Sequence, residues 1–255
     1  MASILDKYGM KEVADVTFYK IASDGTPAEP VLYLDTLKVS TIEQNAENVE
    51  ARGGKGNAAL ISWDYGKEIN VTLEDALFSA KSMAIMFGNG TVDASMTQLM
   101  KTIEWTATSS ADTDTTAGRP STFEINGKTY AVDTASLVDY DATGSSLASG
   151  FVKGNKYFST FNVGITNAGV IDISANSFPG TYYVTGDTFA RSATTGEDEF
   201  FQFIIPKAKV ASENTITLEA EGDPSTFNMS LRVLRPDDGK MMKLVKYDLT
   251  GEVQG

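Results

Sequence analysis

Phe227-Asn228-Met229-Ser230-Leu231-Arg232-Val233 sets an apolar side chain at every second position and a polar one between. Successive side chains of a strand point to opposite faces, so this period describes a half-buried β-strand with one apolar and one polar side. Just upstream, Ile216, Leu218 and Ala220 alternate with Thr217 and Glu219, and Gly222-Asp223-Pro224-Ser225 supplies turn residues. The two runs read as an antiparallel hairpin.

The same grammar recurs outward along the chain. Ala14 to Ile21, Val31 to Val39, Leu60 to Trp63, Glu68 to Val71, Phe200 to Ile205 and Lys243 to Tyr247 are strand candidates, mostly separated by Gly, Pro, Asp or Asn clusters. Such a chain is mainly β and closes as an antiparallel sandwich or barrel-like body. One segment departs from period two: Leu73, Leu77, Ala80, Ala84 and Phe87 recur at spacings of four and three. That spacing predicts one flanking α-helix over Glu74 to Phe87, with Thr72 and Asp75 as its cap, Gly88 after its end, and Leu77 and Phe87 buried against a sheet.

Thr106 to Ala117 and Asp139 to Gly150 are poor in large apolar residues and read as linkers or exposed loops. Between and beyond them lie strand-like pieces at Phe123 to Val132, Tyr157 to Ile165 and Val170 to Ile173. The organisation expected is a β-body in two parts, residues 1–110 and 180–255, interrupted by a small all-β insertion at 111–179. Four cations against seven carboxylates leave the insertion at −3, so the body carries −10 of the chain's −13.

The 255 residues contain neither cysteine nor histidine. That removes disulfides, thiolate metal sites, the commonest zinc ligand and every Ser-His or Cys-His nucleophile pair. An acidic pI of about 4.5 argues against binding nucleic acid by phosphate neutralisation. No run approaches the length of a membrane span, the densest being Phe200 to Pro206, so no membrane insertion is expected. The segment Met1 to Val16 lacks the apolar stretch of a secretory signal.

Gly54-Lys55-Gly56-Asn57-Ala58-Ala59 matches a dinucleotide-binding fingerprint formally, but a polar stretch, Gln44 to Glu50, precedes it and a strand follows. Without a helix N-terminus it has no pyrophosphate cradle. Arg52, Gly53, Gly54, Lys55, Gly56 and Asn57 read instead as a flexible loop that contacts a neighbouring subunit. Acid pairs at Asp112/Asp114, Asp139/Asp141, Asp64/Glu68 and Glu219/Glu221 lack the ligand spacing of a calcium loop and read as solvated charge. Trp63, Trp105 and the Met241-Met242 pair read as core or gap-filling residues. No catalytic residue, metal ligand or cofactor is expected, and the chain reads as no enzyme.

Two stretches resemble phage tail tube proteins. One is Glu50-Ala51-Arg52-Gly53-Gly54-Lys55-Gly56-Asn57 followed by Ile69 to Leu77; the other runs from Tyr183-Val184-Thr185-Gly186-Asp187-Thr188-Phe189-Ala190-Arg191 through Phe200 to Lys207 to Leu218 to Pro224. The resemblance spans about residues 10–105 and 180–250. It implies a β-sandwich with one helix, a virion structural protein whose subunits form stacked, usually hexameric rings, and a tail tube through which DNA is ejected. It further implies self-association, contacts with tape measure, terminator, baseplate and, in a contractile tail, sheath proteins, only transient contact with DNA, and assembly in the bacterial cytoplasm. Two other functions fit an acidic β-protein: a baseplate, decoration or glycan- or receptor-binding module, and a hydrolase built on paired carboxylates. Concentration-dependent rings or tubes separate the first reading from both.

Overall fold

The computed structural model describes residues 7–10, 12–88, 90–110, 119–147, 150–212 and 226–247. The chain forms two compact units, one from residues 1–92 with 171–255 and one from residues 93–170. The strands of unit 1 are β1 (Tyr8–Met10), β2 (Asp15–Ile21), β3 (Pro27–Leu34), β4 (Leu37–Gly53) and β5 (Ala58–Asp75), with α1 (Ala80–Met86) following. Unit 2 holds β6 (Gln98–Thr106), β7 (Thr122–Ile125), β8 (Lys128–Ala131), β9 (Val138–Tyr140), β10 (Ser146–Leu147) and β11 (Lys156–Gly164). The chain then returns to unit 1 as β12 (Thr181–Ser192), β13 (Asp198–Val210), β14 (Phe227–Val233) and β15 (Lys243–Tyr247).

Unit 1 is one antiparallel sheet in the order β3-β2-β12-β13-β14-β5-β4, with β1 added to β12 and β15 to β13. The alternation quoted first is realised on β14, where Phe227, Met229, Leu231 and Val233 are buried and Asn228 and Arg232 are exposed. Val16 and Phe18 of β2, Val184 of β12, Ile205 of β13, Leu231 of β14 and Leu73 of β5 belong to one core cluster. Strands from both flanks therefore share a core, and the sheet curls over it. Only Asp35 and Thr36 separate edge strand β3 from edge strand β4, which draws the two edges together at one corner. β3 and β4 are not paired to each other, so the sheet is not a closed barrel.

The helix is shorter than its sequence period predicts. Leu73 and Asp75, expected at its start, are buried at the end of β5, opposite Met229 and Phe227 of β14. Cross-strand pairing extends Ile69-Val71-Leu73-Asp75 in period two and overrides the local helical spacing. The cap is Ser79, whose Oγ accepts from the Ser82 N–H, and Ser82 returns the bond to the Ser79 N–H. Leu77 consequently lies outside the helix and is 64% exposed, contrary to its expected burial. Ala84, Ile85 and Met86 bury the helix, and Phe87 packs against the core at its end. The expected hairpin partner Ile216 to Ala220, with its turn, lies outside the described residues.

Unit 2 contains a sheet in the order β10-β9-β11-β6 and a separate β7-β8 hairpin turning at Asn126-Gly127. Its extent differs from 111–179 because β6 pairs with β11 along its whole length, from Gln98↔Gly164 to Thr106↔Lys156. Asp139 to Gly150, expected as a loop, takes in the last two residues of β9 and all of β10. Trp105, Ala107, Phe151 and Tyr157 form one core cluster of the unit. Within the unit, Trp105 Nε1 donates to Ser159 Oγ at 2.7 Å, and Ser159 Oγ donates to Asp139 Oδ1 at 2.6 Å. Asp139, 3% exposed, pairs through Oδ2 with Arg119 Nη2 at 2.6 Å, so this buried carboxylate is compensated rather than left as a solvated charge.

Two predictions follow from this packing. Ile85→Ala should cost about 2 to 5 kcal/mol in chemical denaturation, whereas Leu77→Ala should cost less than about 0.5 kcal/mol. Asp93 and Val170, the first and last residues of unit 2, exchange N–H···O bonds at 2.9 and 2.8 Å. Replacing residues 93–170 by a short Gly-Ser linker should therefore leave unit 1 with a cooperative thermal transition; an unfolded product would show that unit 1 depends on unit 2.

Candidate functional site

β4 and β5 pair from Leu37↔Asp75 to Gly53↔Ala58, far beyond the reach of the core. Ile69, Val71 and Leu73 are buried in the base of this ribbon, whereas every residue from Ala58 to Glu68 is exposed. The change coincides with a bulge: Asn45 pairs with Glu68 but Glu47 pairs with Tyr65, so Ala46 faces two residues, Gly66 and Lys67. Gly66 has φ +63°, a conformation that a glycine adopts without strain. Past this bend the ribbon is a two-stranded arm.

Residues directly opposite in an antiparallel pair share a face. Val49 pairs with Trp63, Ala51 with Ile61 and Glu47 with Tyr65, which puts an apolar stripe on one side of the arm. Asn48↔Asp64 and Glu50↔Ser62 occupy the other side. Trp63 is 52% exposed, and Val49, Ile61 and Tyr65 are similarly open to water. Trp63 is thus no core residue, in contrast to Trp105, which is 8% exposed. The stripe went unread in the sequence because Asp64-Tyr65-Gly66-Lys67 divides the apolar run, although Ala59, Ile61, Trp63 and Tyr65 do keep period two.

The six residues expected to contact a neighbour form the tip of this arm. Arg52 and Gly53 end β4, and Gly54-Lys55-Gly56-Asn57 makes the turn into β5. Gly54, Gly56 and Asn57 all have positive φ, and the Asn57 N–H donates to the Gly54 carbonyl at 3.2 Å. The segment is therefore a hydrogen-bonded turn between two strands, because Gln44 to Glu50, read as a polar stretch, is strand. Arg52 is already paired with Glu50 of the same strand, which leaves Lys55 as the turn's other cation. A strand follows the turn, so no helix N-terminus is offered to a phosphate.

A second surface lies on the sheet face turned away from the core. Asp15 of β2 sits directly opposite Asp187 of β12, which sits opposite Gln202 of β13. Tyr33 donates to Asp15 at 3.3 Å; Tyr247 and Gln202 donate to Asp187 at 3.2 and 2.8 Å. The charge of Asp15 raises the Tyr33 phenol, while burial and then Asp187 raise that of Tyr247, so both hydroxyls remain protonated donors. Of the acid pairs, Asp64 and Glu68 are exposed on the arm, and Glu68 pairs with Arg232. Asp141 instead caps its own turn, accepting from Thr143 and Ser145. Asp112/Asp114 and Glu219/Glu221 lie outside the described residues. Among the described residues, no three acidic side chains come together as a metal site would need.

The sequence model of the YomU/Tube protein family matches residues 8–246. The chain belongs to that family. No curated protein matches it. The match to the YomU/Tube family runs through both units, so it covers the arm, the acidic face and unit 2 alike.

In dilute solution Trp63 of this YomU/Tube chain should emit as a water-exposed indole and be quenched by acrylamide, and Trp63→Phe should remove that component. A Trp63→Phe spectrum with the quenchable fraction unchanged would show that the stripe is covered within one copy.

Proposed function

We propose that the chain is a virion structural protein of a phage tail, which self-assembles into stacked rings, hexameric as in tail tube proteins, around a conduit for DNA ejection. Membership of the YomU/Tube family supports the tube; the observation that carries self-assembly is the arm. Its stripe of Val49, Ile61, Trp63 and Tyr65 exposes apolar area on a ribbon that has no second layer among the described residues. A two-stranded ribbon of this kind is marginal in water by itself and gains roughly 25 cal/mol for each Å² of apolar surface another surface covers. Arg52 to Asn57 at the tip take part in that contact on this reading.

The face bearing Asp15 and Asp187 suits the lumen, because paired carboxylates repel phosphate and let DNA pass without adhering. The reading needs no catalytic residue and no cofactor. Its partners are further copies of the chain and the neighbouring tail components, namely tape measure, terminator and baseplate proteins and the sheath where there is one. The tail of the virion, built in the bacterial cytoplasm, is its location.

Negative-stain microscopy and sedimentation across rising concentration should show rings or tubes. Trp63→Lys should raise the concentration required at least tenfold while leaving the circular dichroism spectrum intact. Wild-type protein that stays monomeric at millimolar concentration would overturn the reading.

A further inference from the structure

A groove of about 770 Å³ opens in unit 1 where the ends of β13 and β14 meet the base of the arm. Leu234 and Met241, both half-buried, give it an apolar lining over Val210 of the core. Its charge comes from Lys67, Lys209, Arg232 and Arg235, against the one carboxylate of Glu68. Arg232 is occupied by Glu68, whereas Lys67, Lys209 and Arg235 have no carboxylate in ion-pair range among the described residues. In a chain of net charge −13 this is a local reversal of sign, laid over an apolar lining.

Between its bulge and its turn the arm carries the complementary pattern. Its apolar stripe has Glu47 on the same face and Asp64 on the other, while Glu50 is held by Arg52. An apolar core edged by opposite charge is the anatomy of a specific protein contact, in which the charges set register and the apolar centre supplies affinity. The tip cannot reach the groove of its own chain. Lys67 and Glu68 in the groove are the arm's own base, and the strand from there to Ala58 is extended over about 30 Å.

We infer that the groove receives the arm of a second copy of this chain, an assignment that rests on the self-assembly proposed above and names its receptor surface. Arm and groove are different surfaces of one unit, so the contact is head-to-tail. Each copy gives an arm and offers a groove, and the contact propagates instead of closing as a symmetric pair.

The absence of native cysteine makes a crosslinking test clean. Oxidised Ile61→Cys with Leu234→Cys should give a ladder of covalent oligomers, and each single variant should remain monomeric on a denaturing gel. Dimers from Ile61→Cys alone would mean that arm packs on arm and would overturn the assignment. So would an absent ladder from a double variant that assembles as wild type does. Independently, Lys209→Glu with Arg235→Glu should raise the assembly concentration at least tenfold with the circular dichroism spectrum unchanged, and adding Glu47→Lys with Asp64→Lys should restore it. Folded reversal variants that assemble at the wild-type concentration would remove the groove while leaving self-assembly standing. Wild-type protein that never assembles would remove both.

Discussion

A two-stranded β-ribbon has no layer behind it, so an apolar side chain on its face stays in water until another surface covers it. The β4–β5 hairpin meets this constraint in its two halves differently. Its base lies in the nine-stranded sheet, where Ile69, Val71 and Leu73 reach the core shared with β2, β12, β13 and β14. Past the Gly66 bulge the same two strands leave the body, and Trp63 and its neighbours have no such core. The sheet anchors one end of the ribbon, and the other end stays open to water in a single copy.

Much of the architecture was legible wherever burial and period agreed. The alternation of Phe227 to Val233 and the run Lys243 to Tyr247 correspond to β14 and β15 with the same bounds. Leu73 marks where that reading ended. Its spacing to Leu77, Ala80 and Ala84 is helical, yet its partner across the sheet is Met229, more than 150 residues away, and no local period carries that information. Once β5 runs to Asp75, the helix can only begin later, and its cap falls to Ser79 and Ser82. The extent of unit 2 was hidden for the same reason, since Gln98 to Thr106 pairs with a strand 50 to 66 residues downstream.

The candidate site was half legible. The glycines of Gly53 to Gly56 read as a loop, and the chain there turns between two strands. What made it the tip of an arm was the strand character of Gln44 to Glu50, a stretch too polar to announce a strand that buries nothing. β-propensity reports fit to a half-buried pleated surface, and this stretch has no such surface within one copy. Trp63 on β5 was read as core because an aromatic content of 10% is ordinary core composition in a β-protein. Only the bulge, with two residues opposite Ala46, separates the buried register from the exposed one.

The arm's base is held to the body by the β5–β14 ladder, six cross-strand pairs from Asn70↔Arg232 to Asp75↔Phe227. A pull applied at the tip along the strand direction loads that ladder in shear, so its hydrogen bonds share the force and must fail together. A pull across the strands would open them one at a time, as a zipper opens. The hairpin is therefore mechanically anisotropic: stiff toward tension along its own axis and compliant toward a sideways load, with the bend at Gly66 as the point where one becomes the other.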